Sequence, residues 1–189
     1  MSKQIMVENA VTDMLVAFDV SLNDENFKDT PARVAKAFKE ILCGQDKLLL
    51  DAEITKIFSK SFPTTYKGIV AQKHIKAIGM CPHHLQPIKY DIDLGYIANK
   101  QAVGLSKLAR VTKLLAGRLV LQESLTQDIL DVFVNQLKPA GIIVIVRGEH
   151  GCMSNRGISQ NIITTTSSVF GTFESDIAAR QEFLALNGN

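Results

Sequence analysis

The sequence predicts an α+β fold in which an antiparallel sheet is covered on one face by two helices and preceded by a helical arm. Three observations carry this. The apolar spacing is helical up to about residue 44, changes to a period of two near residue 88, and returns to helical through residues 105 to 137. Two strand-like runs precede the second helical stretch and two follow it. Strands paired in adjacent hairpins with helices between them give an antiparallel sheet rather than a doubly wound one. The 189 residues, 46% apolar and 21% charged, suffice for a core without disulfides or a structural metal.

Taken in order, Ile5, Met6, Val11, Met14, Leu15 and Phe18 predict an amphipathic helix over 5 to 18. The run Asp29-Thr30-Pro31 starts a second, because proline is pre-set for the first helical turn, and it ends near Gly44. Residues 45 to 67 read as a linker or irregular crossover, so the arm is expected over 1 to 60 and the sheet domain over 61 to 189. Ile88, Tyr90, Ile92, Leu94 and Tyr96 alternate with polar or small residues as one strand, with 68 to 78 as its partner. Helices follow over 105 to 119 and 123 to 137, the second stopped by Pro139. Residues 141 to 146 (GIIVIV) form a buried strand, and the Thr/Ser-rich run 158 to 170 its partner.

Charge narrows the function classes. The net charge is +2, yet residues 54 to 122 carry 11 basic and 2 acidic side chains, a block of +9 between flanks of −4 and −3. A local basic block suits a small polyanion better than a duplex, whose footprint needs a broad positive face, or a solvated lysine-rich surface accounts for it. With 6% aromatics and no Trp, stacking platforms for a nucleic-acid module are scarce. The sequence holds no run of 18 apolar residues, and its first 15 residues carry charges where a signal peptide needs an apolar stretch. A cytoplasmic protein with no membrane partner is expected. Three widely spaced cysteines, Cys43, Cys81 and Cys152, argue against a disulfide framework.

The densest chemistry is Cys81-Pro82-His83-His84, directly before the best strand. Cys-x-x-His is a zinc half-site, and Glu149-His150-Gly151-Cys152 follows the second buried strand. If both strands share a sheet, Cys81, His84 and Cys152 supply three ligands and leave a fourth position open, as in catalytic zinc; packing and capping remain the alternative. His83 and His150 are then left beside the metal as proton-transfer groups, or as hydrogen-bond partners of a ligand. His74 and Cys43 read as structural. Ser106, Lys107 and Arg110 at a helix start, Arg156 after the second cluster, and Arg33 with Lys36 in the arm could meet an anion. Glu123 is either a favourable helix N-terminal charge or an acceptor for a ligand's amino and imino groups.

CPHH, VGLSKLARV, LVLQESLTQDI and EHGCMSNRGI, in that order and spacing, resemble GTP cyclohydrolase I over about residues 29 to 173. The resemblance implies the tunnelling fold, in which sheets of several subunits join into a barrel, a homo-oligomer expected as a decamer of two pentamers with shared active sites. It implies conversion of GTP to 7,8-dihydroneopterin triphosphate and formate. It implies Zn²⁺ on Cys81, His84 and Cys152, His150 and His83 as acid/base groups, and Ser106 assisting the later sugar rearrangement. By the same likeness Glu123 and Gln122 hold the guanine edge, while Lys107, Arg110 and Arg156, with Arg33 and Lys36, surround the triphosphate. The chain departs from the family at Pro82, where Glu is usual, at Ala98, where Pro is usual, and in a short N-terminal region. The rival enzyme is another tunnelling-fold purine or pterin enzyme, such as a nitrile reductase, which needs a nucleophilic cysteine free of metal. A catalytically silent zinc and guanine-nucleotide protein would not need both His83 and His150.

Overall fold

In the computed structural model, which describes residues 2–187, the chain forms two compact units, divided between Cys43 and Gly44. The first holds helices α1 (Lys3–Ala17) and α2 (Thr30–Ile41), which pack on each other. Ser2 caps α1, its hydroxyl accepting from the Ile5 amide, and Pro31 sits in the first turn of α2.

The second unit begins with helix α3 (Lys47–Phe58), where the sequence suggests an irregular crossover. The exposed Leu48 and Leu49 blur the periodicity, but Leu50, Ile54 and Ile57 form a buried i, i+4, i+7 stripe and the Asp46 carboxylate accepts from the Leu49 amide. This helix packs on α4 and α5, so residues 44 to 60 belong spatially with the sheet. The order continues β1 (Phe62–Pro63), β2 (Ile69–Met80), β3 (Pro87–Ile97), β4 (Gln101–Ala102), α4 (Leu105–Ala116), α5 (Gln122–Leu137), β5 (Gly141–His150), α6 (Gly151–Ser154), β6 (Ile163–Gly171), α7 (Thr172–Ser175) and α8 (Ile177–Asn187).

The main sheet runs β2-β3-β5-β6, every pair antiparallel, as the order of periods predicts. The period-two face of β3 (Ile88, Tyr90, Ile92, Leu94, Tyr96) and Ile142, Val144 and Val146 of β5 pack beneath α4 and α5. The opposite face is not bare, contrary to the expectation of helices on one side alone. Ile143 and Ile145 of β5 pack there with Phe173 and Phe183, both fully buried, which brings α8 onto the sheet. Ile69, Ala71, Ile97 and Val169 pack against this cluster, and the same face also carries a buried charge: Asp93, 1% exposed, accepts from Arg147 at 2.6 Å and from the His74 backbone amide at 2.9 Å, at a bulge where β2 slips register between Gln72 and Ile75. No described helix is long and apolar enough to cross a membrane.

Candidate metal centre and catalytic pocket

Register explains how residues 68 positions apart in sequence meet. Met80 pairs with Pro87, so Cys81 to Gln86 form the loop of the β2–β3 hairpin. Ile88 pairs with His150, so the end of β5 and the start of α6 arrive beside that loop. The loop is closed by the Cys81 amide donating to the Gln86 carbonyl and the Leu85 amide donating to the Cys81 carbonyl, both at 2.9 Å. Neither bond uses the amide that Pro82 lacks, so proline is accommodated at this position. Gly151 lets the chain turn close to the hairpin, since a Cβ there would lie 2.8 Å from the Pro87 carbonyl oxygen.

The outcome is a Cys81, His84, Cys152 cluster whose donor atoms all lie within 4.8 Å of one another, with Cys81 Sγ 3.6 Å from His84 Nδ1. Cys81 is buried, Cys152 half-buried and His84 exposed, so the cluster opens outward on the histidine side. Burial pushes the Cys152 thiol up, the Cys81 sulfur adds to the rise, and Arg156 opposes it. Two sulfurs this close repel once ionised, and a shared cation is the ordinary solution. The donor set, two thiols and an imidazole, fits a metal. A second group, His74, Asp91 and Asp93, has the same compactness, but Lys76 lies 2.8 Å from Asp91 and Arg147 2.6 Å from Asp93, so its carboxylates already have cations.

The proton-transfer candidates border the sulfur cluster. The His83 ring centroid is 6.1 Å from that of His84, and His83 is exposed. His150, at the end of β5, is half-buried; burial pushes its imidazole down, with Glu123 pulling the other way. Its Nε2 lies 2.8 Å from Gln122 Oε1, and its ring stacks edge-on with Tyr90 at 6.5 Å. Glu123 is exposed in the first turn of α5, and its charge, with that of Cys81, adds to the burial that raises the Tyr90 hydroxyl. The Tyr90 hydroxyl is buried without a hydrogen-bond partner among the described residues.

The cationic candidates are less converged. Ser106 and Arg110 are exposed on α4, and the Lys107 ammonium donates to the Lys60 carbonyl. Arg156 is exposed one turn beyond Cys152 and near enough to act on it electrostatically. Arg33, paired with Asp29 at 3.2 Å, and Lys36 line a pocket of about 500 Å³ within the first unit. Gln122 is 3% exposed, its side chain turned inward to His150 and to backbone carbonyls. Sequence reasoning does not find the Gln122 to His150 bond, because nothing in a 28-residue separation marks it. Nor does it single out Tyr90, which reads as one more core residue of β3.

Residues 7–188 match the family model described as GTP cyclohydrolase I. The chain is 39% identical to a GTP cyclohydrolase 1 of Halalkalibacterium halodurans over 95% of this chain and 94% of that one. It is also 39% identical to a GTP cyclohydrolase 1 of Mycolicibacterium vanbaalenii, over 97% of this chain and 90% of that one. A protein of the same name from Bacillus pumilus is 38% identical over 97% and 96%.

Proposed function

The chain belongs to the GTP cyclohydrolase I family and is an enzyme of that kind, and we propose that it hydrolyses GTP to 7,8-dihydroneopterin triphosphate and formate with zinc held by Cys81, His84 and Cys152. The observation that carries this reading is the convergence of those three donors within 4.8 Å beside the half-buried His150. Two thiolates and an imidazole are a borderline-soft set that favours Zn²⁺ over Mg²⁺ or Ca²⁺. Bound there, zinc supplies Lewis acidity and a water nucleophile available near neutral pH.

The chain's own residues do the rest. The Glu123 carboxylate accepts from the amino group and the adjacent ring N–H of guanine, an edge that adenine does not present. The start of α4 offers unpaired amides and its positive dipole end to the triphosphate, joined by Ser106, Lys107, Arg110 and Arg156. Lys107 exchanges the Lys60 carbonyl for a phosphate oxygen, a stronger, charge-assisted bond. His150 protonates the leaving nitrogen as the imidazole ring opens, and a second hydrolysis releases formate. His83, exposed beside His84, carries protons with Ser106 during sugar rearrangement and ring closure.

Assembly belongs to the same reading. Among the described residues β2 and β6 are the edge strands of the main sheet, and such edges are ordinarily covered. A tunnelling-fold barrel of pentamers stacked into a decamer pairs them. The arm, with Arg33 and Lys36, then contributes to the site of an adjacent subunit. The basic block serves the triphosphate rather than nucleic acid, and the enzyme works in the cytoplasm. The test is incubation of the zinc-loaded protein with GTP, followed by oxidation and detection of a fluorescent pterin. Fluorescence with GTP and none with ATP supports the reading; none with either overturns it.

A further inference from the structure

The buried polar groups between α5 and the sheet converge on one side chain. The amide nitrogen of Gln122 has two hydrogens, and its partners are the Val146 carbonyl at 3.0 Å and the Thr164 carbonyl at 2.9 Å, with Thr166 Oγ1 at 3.3 Å. Carbonyls only accept, so the nitrogen must face them; the flipped amide would set oxygen against two oxygens in a site that is 3% exposed. Oε1 is thereby forced toward His150 Nε2, 2.8 Å away, and an amide oxygen can only accept. We propose that Gln122 is a positioning residue that locks His150 as the Nε2–H tautomer, leaving Nδ1 as the nitrogen that exchanges a proton with substrate.

Two further observations support the lock. Thr126 Oγ1 donates to the Gln122 carbonyl at 2.8 Å and lies 2.6 Å from Thr166 Oγ1, bracing the first turn of α5 against β6. Gly148 is the second: a Cβ there would overlap Gln122 Oε1 and lie 3.1 Å from His150 Nε2, so the amide reaches the ring only because residue 148 has no side chain. His150 Nδ1 has no hydrogen-bond partner among the described residues. The side-chain donors of Gln122 are all spent on the protein, which leaves recognition of the guanine edge to the Glu123 carboxylate. The proton-transfer role of Nδ1 rests on the proposed cyclohydrolase reaction, whereas the tautomer is a property of the chain.

The experiment is solid-state NMR of the full, zinc-loaded chain labelled with ¹⁵N-histidine, above neutral pH, with the His150 signal identified by its loss in His150→Ala. One-bond proton–nitrogen correlations report which ring nitrogen carries hydrogen. The lock predicts Nε2–H in the unmodified protein and a tautomer mixture in both Gln122→Met and Gly148→Ala. The glycine variant keeps every polar group and displaces chiefly the end of the flexible Gln122 side chain, with the His150 ring giving only slightly, so it answers the question even if Gln122→Met misfolds. Zinc content should be unchanged, and kcat for GTP should fall about 10²-fold as the ring loses its orientation, with KM within about twofold. Nδ1–H in the unmodified chain, or an unaltered tautomer in both variants, overturns the lock; so does a raised KM at constant kcat. Nε2–H together with no GTP turnover in the unmodified protein upholds the lock and refutes the cyclohydrolase reading instead.

Discussion

Replacing Phe183 by Ala tests whether α8 is held to the sheet by apolar packing. Phe183 is fully buried, meets Phe173 edge-to-face at 6.1 Å and 72°, and sits so close over β3 that a Cβ at Gly95 would lie 2.5 Å from its ring. A buried Phe removes roughly 150–250 Å² from water, or about 4–6 kcal/mol at 25 cal/mol per Å². A compact unfolded state lowers that figure by about a quarter. The edge-to-face pair adds about 1 kcal/mol, and measured Phe→Ala costs fall in the range of about 3–5 kcal/mol. Because Phe183 is the one buried side chain of α8 among the described residues, its loss should undock α8 without unfolding the sheet, and we expect about 3 kcal/mol, expressed as local opening. In native-state hydrogen exchange the amides of α8 should then exchange about 10²-fold faster, while those of β3 and β5 hold. Leu184→Ala, at a half-exposed neighbour, should cost under about 0.5 kcal/mol. Unchanged protection of α8 in the Phe183 variant would refute the packing argument.

Elemental analysis should find one zinc per chain and its loss in Cys152→Ser, while His150→Ala should keep the metal and lose about 10²- to 10⁴-fold in turnover. Glu123→Gln should weaken GTP use without stripping zinc, and ATP used as well as GTP by the unmodified protein would exclude Glu123 as the guanine selector. Burial pushes the Asp91 carboxyl up, but Lys76 and His74 outweigh it and hold the group below its ordinary 3.8. Its folded pKa therefore lies below the unfolded one, so its contribution is present above about pH 4 and is lost as pH falls further. Asp91→Asn should flatten acid-induced unfolding in that range, and an unchanged acid limb counts against the pair. Reassembling dissociated His150→Ala and Arg110→Ala chains together should restore partial activity if sites are shared between subunits; continued inactivity of the mixture argues for sites built within one chain.

The architecture was legible where the pattern matched one period. The alternation of β3 and the GIIVIV run of β5 announce a sheet, and the stripes of α4 and α5 announce its cover. Helix α3 was illegible because Leu48, Leu49 and Leu50 are consecutive and only the last is buried, so no single helical face stands out. The capping of the second face has no signature in the sequence, because Phe173 and Phe183 sit on the consecutive short helices α7 and α8 and nothing in that stretch marks which apolar side chains turn onto Ile143 and Ile145 of β5. For the site, the Cys-x-x-His loop and the His-x-Cys turn carry their chemistry in short spacings, and register alone was needed to join them. The orientation of His150 has no such signature. It follows from a buried amide, two backbone carbonyls and a missing side chain at Gly148, three features of tertiary packing.

The central claim is hydrolytic removal of the purine carbon between the two imidazole-ring nitrogens, and GTP carrying ¹³C at that position follows it directly. Zinc-loaded protein should release the label as formate, one for each pterin formed, and the same chain lacking Cys152 should release none. Labelled carbon retained in the nucleotide-derived product, or pterin formed without labelled formate, would contradict the account.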